Sequence, residues 1–99
     1  TKWDDRDPSL FQTNDGDILC SFFIYQRHGT KQTVNVCLIR SSNDGATWSS
    51  PEIIARDVAT SSPIRRGPNN VLLLPLYSTS GGSLVSESFD EGRTWTAPH

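Results

Sequence analysis

The side chains able to do chemistry in this sequence are few and well separated. Arg6 stands before Asp7 and Pro8, Arg27 and His28 sit in the polar stretch Gln26-Arg27-His28-Gly29-Thr30-Lys31-Gln32, and Arg65 and Arg66 are adjacent. A guanidinium grips a carboxylate through two parallel charge-assisted hydrogen bonds, which fixes orientation as well as position. The arginines are therefore the candidates for holding an anionic ligand, although Arg6 beside Asp7 also has the makings of a surface ion pair. His28 titrates near neutrality and is either a proton donor or a solvated loop-tip residue. Cys20 and Cys37 are too few for a metal quartet or a multi-disulfide framework, which leaves one bridge or two thiols.

The elements that must position these groups come from an internal repeat. Ser41 to Trp48 reads SSNDGATW and Ser88 to Trp95 reads SFDEGRTW, so Ser, Gly, Thr and Trp recur at identical offsets 47 positions apart. Upstream of each octet a proline opens a strand (Pro8, Pro63), a polar turn follows (Asn14-Asp15-Gly16, Pro68-Asn69-Asn70), and an apolar run comes next. Strands are expected at 9–13, 17–25, 33–40 and 48–54 in the first unit, and at 64–66, 71–77, 82–88 and from 94 onward in the second. Turn residues separate them and no helical period appears. Four strands per repeat specify the blade of a β-propeller, with 1–56 as the first and 57–99 as the second.

Composition agrees. A hydrophobic fraction of 34% is low for a compact domain, but the apolar residues cluster in short runs rich in Val, Ile, Phe and Tyr, which favours an all-β chain. A net charge of -2 with intermixed signs offers no basic stripe for phosphates, so nucleic acid is not an expected partner. No apolar run approaches the roughly 20 residues of a membrane-spanning helix, and the start TKWDDRDP lacks the pattern of a signal peptide. No cofactor or metal is implied. A hairpin turning at Gly29-Thr30 sets Cys20 opposite Ile39 and Cys37 opposite Phe22. The cysteines are then diagonal neighbours, roughly 7 Å apart, too far for easy bridging, and two buried thiols are expected.

The octet has a physical logic of its own. A turn between third and fourth strands needs a short carboxylate or amide to accept bonds from its own backbone, a Gly for positive φ, and an anchor. Asp90, Gly92 and Trp95 meet those needs, and Asn43 replaces the acid in the first copy, which should be the weaker turn. Glu91 is expected to face solvent.

The pattern S-x-D-x-G-x-T-W resembles the Asp-box, or bacterial neuraminidase repeat, of the sialidase-like propellers. The structural set is Ser41, Asn43, Gly45, Thr47 and Trp48, then Ser88, Asp90, Gly92, Thr94 and Trp95. The resemblance implies a six-bladed propeller and a glycoside hydrolase that removes terminal sialic acid, with the boxes on the face away from the active site. In that family an Arg-Ile-Pro at the start of a first strand supplies one arginine of the substrate-carboxylate clamp. Arg6-Asp7-Pro8 is similar, with Asp7 in place of Ile, which makes Arg6 and its neighbour Asp7 the catalytic candidates. The general acid is expected in the loop 26–32, which holds no carboxylate. Arg27, His28, Arg65 and Arg66 are the candidates for contacting a glycan or sugar-acid ligand, while Tyr25 and Tyr77 read as packing residues. Alternatives are a non-catalytic glycan-binding propeller using Arg6, Arg27, His28 and Trp3, or a purely architectural pair of blades.

Runs 18–24 and 71–77 are apolar at odd and even positions alike, as in sheets buried on both faces. The outer faces then need covering. Either further blades follow in the same chain, or copies associate, three of them closing a six-bladed ring. The absence of Met at the start and the stop just after Trp95 fit a piece of a longer protein. Such a piece should be inactive alone.

Overall fold

The computed structural model describes residues 4–60 and 62–99, and it is all-β. The first sheet has order β1-β2-β3-β4, antiparallel throughout, from β1 (Asp4–Gln12), β2 (Ile18–His28), β3 (Lys31–Ser41) and β4 (Glu52–Arg56). The second is built on β7 (Leu72–Ser78). One edge of β7 pairs with β8 (Ser83–Ser88), and the other pairs in turn with β5 (Val58–Ala59) and β6 (Arg65–Arg66). A single 3-10 turn at Pro68–Asn70 is the only helix among the described residues.

The longest hairpin follows from its turn chemistry. Gly29 takes φ 62, His28 pairs with Lys31, and the register carries Cys20 to Ile39 and Phe22 to Cys37 as expected. No disulfide joins Cys20 and Cys37, and both are buried. Burial pushes the Cys20 thiol pKa up.

Three expectations are corrected. Pro8 does not open β1. The strand begins at Asp4 and Pro8 lies in a bulge between Arg6 and Ser9, where Asp7 takes φ 52, and a bulge tolerates the missing N–H. The fourth strand starts at Glu52 rather than at Trp48, because residues 41–48 are consumed by the turn. The first strand of the second sheet is broken into β5 and β6. The break falls opposite Pro75, which has no N–H to give, and the Thr60 hydroxyl bonds its carbonyl at 2.9 Å instead. The strand expected from residue 94 onward is not formed as such, but residues 96–99 run beside β8: Thr96 N–H donates to the Glu87 carbonyl, and Val85 and His99 exchange both backbone bonds.

The core lies between the sheets. Leu19, Phe23, Val36 and Leu38 of the first meet Val58, Ile64, Leu72, Leu74 and Leu76 of the second, with Trp95 packed against the cluster. Alternation sends other apolar residues outward. Leu10 is 66% exposed and Ile53 40% on the outer side of the first sheet, and Tyr77, expected to pack, is 41% exposed on the outer side of the second.

Candidate functional site

Both octets fold into the same turn, bond for bond. The Ser41 hydroxyl accepts from the Gly45 amide at 2.8 Å, and the Ser88 hydroxyl from the Gly92 amide at 2.8 Å. Asn43 Oδ1 accepts from the Thr47 amide at 2.9 Å, and Asp90 Oδ1 from the Thr94 amide at 2.8 Å. The indole of Trp48 donates to the Gly45 carbonyl at 3.1 Å, and that of Trp95 to the Gly92 carbonyl at 3.0 Å. Among these shared bonds the change is one of polarity, and Arg93 Nη1 adds a bond to the Asp90 carbonyl at 3.2 Å that the Ala46 methyl cannot make. Asn43 Nδ2 donates to the Thr47 hydroxyl at 2.7 Å, whereas the Thr94 hydroxyl donates to Asp90 Oδ2 at 2.5 Å. Each Gly follows a second left-handed residue, Asp44 (φ 59) or Glu91 (φ 59).

Burial pushes the Asp90 carboxyl up, but bonds from the Thr94 hydroxyl and amide, Ser88 and Arg93 outweigh it and hold the pKa at about 2. A folded value below the unfolded one, about 3.9, gives stability that is present above that value and lost as pH falls through the folded one. Asp90→Asn should copy the polarity of the first turn, lose about 1 kcal/mol near pH 7, and flatten the acid limb between about pH 4 and 2. Urea titrations across that range check it. An unchanged acid limb would contradict the role given to Asp90.

The second octet does more than turn the chain. Glu91, expected to face solvent, instead joins the two sheets. Its Oε1 accepts from the Asn14 amide at 2.7 Å and Arg66 Nη2 at 2.9 Å, its Oε2 from Arg66 Nη1 at 2.9 Å, and its backbone carbonyl from Arg40 Nη2 at 2.6 Å. Arg40 is held by Asp17 at 2.7 Å, and Arg93 reaches Asp15 at 3.1 Å. The bond from Arg66, then that from Asn14, keeps the Glu91 carboxyl below its usual range. The Thr13 hydroxyl, then Arg93, brings Asp15 to about 2. The sequence marked Asn14 and Asp15 only as turn residues and Glu91 as solvent-facing, and it gave none of Asn14, Asp15, Asp17, Arg40, Glu91 or Arg93 a role between the sheets. The available signal was that the second octet carries Glu and Arg where the first has Asp44 and Ala46.

The candidate ligand residues fall at two opposite ends. Arg6 lies near the hairpin end of the first sheet, exposed, its guanidinium 5.2 Å from the Tyr25 ring centre, a cation–π distance. Asp7 beside it is exposed, as is Arg27 farther along β2. His28 ends β2, but its side chain and all of Trp3 lie outside the described residues. Arg65 and Arg66 lie at the octet end. Arg66 is committed to Glu91, to the Asn70 carbonyl at 3.1 Å and to the Phe11 ring at 5.7 Å, while Arg65 on the opposite side is exposed. Glu87 meets His99 at 3.3 Å. Two open hollows, about 260 and 340 Å³, lie between β4 and the second octet, both lined by Glu52 and Arg93. They are far from Arg6, and Arg93 is already engaged. Among the described residues no His, Cys, Asp and Glu cluster could hold a metal ion, and no helix is long and apolar enough to cross a membrane.

No protein-family model matches the chain, and no curated protein matches it in sequence. Solved structures share its fold. A protein of unknown function from Dyadobacter fermentans superposes with a TM-score of 0.73 at 22% identity, over 95% of this chain and 36% of that one. A Hadza microbial sialidase superposes with a TM-score of 0.72 at 18% identity, over 96% of this chain and 25% of that one. The chain thus spans well under half the length of either.

Proposed function

We propose that this chain is a two-blade segment of a sialidase-like β-propeller, a glycoside hydrolase of exo-α-sialidase type acting on terminal sugar acids. The observation that carries the reading is the pair of octet turns with matching bonds, each closing a sheet of the same plan, within a fold shared with part of a sialidase. The octets and the latch around Glu91 occupy one end, and ligand chemistry is assigned to the other. There the bulge at Asp7 and Pro8 lifts β1 out of register beside Arg6, and Tyr25 supports the guanidinium from below. A guanidinium so placed would take a substrate carboxylate through two bonds. The general acid, the tyrosine nucleophile with its glutamate, and the other clamp arginines are assigned to other blades of the propeller.

One observation favours a second reading, a glycan-binding propeller without hydrolysis. The hairpin from Gln26 to Gln32 has no carboxylate, and its exposed Arg27 can only donate.

The test uses this chain with a fluorogenic sialoside and with N-acetylneuraminic acid observed by saturation-transfer NMR. The expected result is no hydrolysis, together with weak binding, on the order of millimolar, that Arg6→Ala abolishes and Arg66→Ala leaves in place. Hydrolysis by this chain alone would overturn the assignment of the acid to other blades. Binding that survives Arg6→Ala, or no binding by the unmodified chain, would overturn the clamp.

A further inference from the structure

The two sheets can be aligned residue by residue through their ladders. Ser41 pairs with Ile18 as Ser88 pairs with Leu72, so Cys20 corresponds to Leu74 and Leu19 to Leu73. Arg40 corresponds to Glu87, because each hydrogen-bonds the residue that follows its octet: Ser49 N–H donates to the Arg40 carbonyl at 2.8 Å, and Thr96 N–H to the Glu87 carbonyl at 2.8 Å. Thr13 and Gly67 close equivalent turns, bonding Asp17 and Val71, so Asn14 corresponds to Pro68 and Asp17 to Val71.

This alignment shows how the sheets are packed. The face of the second sheet that is covered by the first (Leu72, Leu74) corresponds to the open face of the first (Ile18, Cys20). The face of the first that is covered (Leu19) corresponds to the open face of the second (Leu73). The contact is therefore head to tail, and each open face has the form of one that is already covered. Trp95 packs against the core, whereas its counterpart Trp48 is 39% exposed. A Cβ on Gly92 would meet Leu19 Cδ1 at 2.6 Å, while one on Gly45 would meet only Trp48. The first sheet thus has a vacant place for a preceding sheet, and the second for a following one.

The shape is repeated but the polar address is not. At the existing contact Arg40, braced by Asp17, reaches the Glu91 carbonyl, Asn14 gives its N–H to the Glu91 carboxylate, and Arg93 meets Asp15. If a second copy docked by the same operation, Glu87 would replace Arg40, Val71 would replace Asp17, Pro68 with no N–H would replace Asn14, and Ala46 would replace Arg93. Opposite Glu87 would stand the backbone carbonyl of Asp44, the counterpart of the Glu91 carbonyl that Arg40 reaches. The cross-sheet polar bonds just named are lost and the Glu87 carboxylate is set against a backbone carbonyl, two acceptors with no donor between them, which disfavours association.

We propose that the open face of the first sheet receives a non-identical four-stranded antiparallel sheet carrying a basic residue at the position of Arg40, and that the chain is coded against closing on its own copies. This stands on the repeat geometry alone and is independent of the sialidase reading.

The experiment is sedimentation velocity on the chain and on Glu87→Arg/Val71→Asp, which transplants the Arg40–Asp17 pair to the open face of the second sheet, within reach of the Asp44 backbone carbonyl on the next copy. The original chain should give no discrete closed oligomer, because nothing fixes the contact of its apolar faces. The transplanted variant should give one, with association at least about tenfold tighter than that of the original chain. Glu87→Gln alone should raise association several-fold by removing the charge that faces the carbonyl and supplying a donor in its place, and it reads the same contact if the double variant does not fold. A discrete ring formed by the original chain, or no change in association in either variant, would overturn the proposal.

Discussion

Gly92→Val is expected to cost about 2 to 6 kcal/mol, enough at the upper end to unfold a chain of this size. Two effects add. Valine must adopt φ +88, a conformation that costs an L residue about 1 to 3 kcal/mol. Its Cβ also enters the first sheet, 2.6 Å from Leu19 Cδ1 and 3.2 Å from Arg40 Nη2, and overpacking of that kind costs about 1 to 3 kcal/mol more. Gly45→Val is the internal control. It demands φ +87, but its Cβ finds only Trp48 Cζ2 at 3.7 Å, so it should show the backbone cost alone. Urea midpoints for the two variants separate strain from the sheet-to-sheet contact. Equal midpoints would mean that the second octet does not abut the first sheet as described.

Glu91→Ala should lose about 1 to 3 kcal/mol, more than an exposed carboxylate would. The carboxylate accepts three bonds, two from Arg66 and one from the Asn14 amide, and alanine leaves both donors without it. The bond from Arg40 goes to the backbone carbonyl and survives. Because the partners are charged and partly exposed, the loss should shrink in high salt. It should also vanish at low pH. The folded carboxyl lies below its usual range, so its contribution is present above the unfolded pKa and is lost as acid protonates it. Denaturation at neutral and acid pH, with and without salt, gives the measurement. A midpoint equal to that of the unmodified chain would restore the solvent-facing reading.

What could be read in advance was what lies close in sequence. The octet turns are closed by bonds spanning two to four residues, from Ser88 to Gly92 and from Asp90 to Thr94, so residue types at fixed offsets were sufficient to specify them. The hairpin register was equally legible, because a glycine turn fixes every pair that follows from it and with them the separation of Cys20 and Cys37. The split of the first strand in the second sheet was not, although Pro75 was its cause. A proline in an apolar run shows that one N–H is missing, but not which neighbour needed it.

The sequence by itself therefore determined the all-β class, the repeat, the two turns and the conformational need for Gly45 and Gly92, all consequences of local backbone chemistry. Only the tertiary structure decided what the charges do. Glu91 meets Asn14 across 77 positions, Arg40 across 51 and Arg66 across 25, and no spacing rule reaches so far. The same packing separated Arg6 from Arg65 and Arg66, placing them at opposite ends of the sheets. Which surface residue becomes a partner depends on which faces the apolar strands bring together. That is settled by burial of the core, which is non-directional and carries no signature in the charged residues that end up beside it.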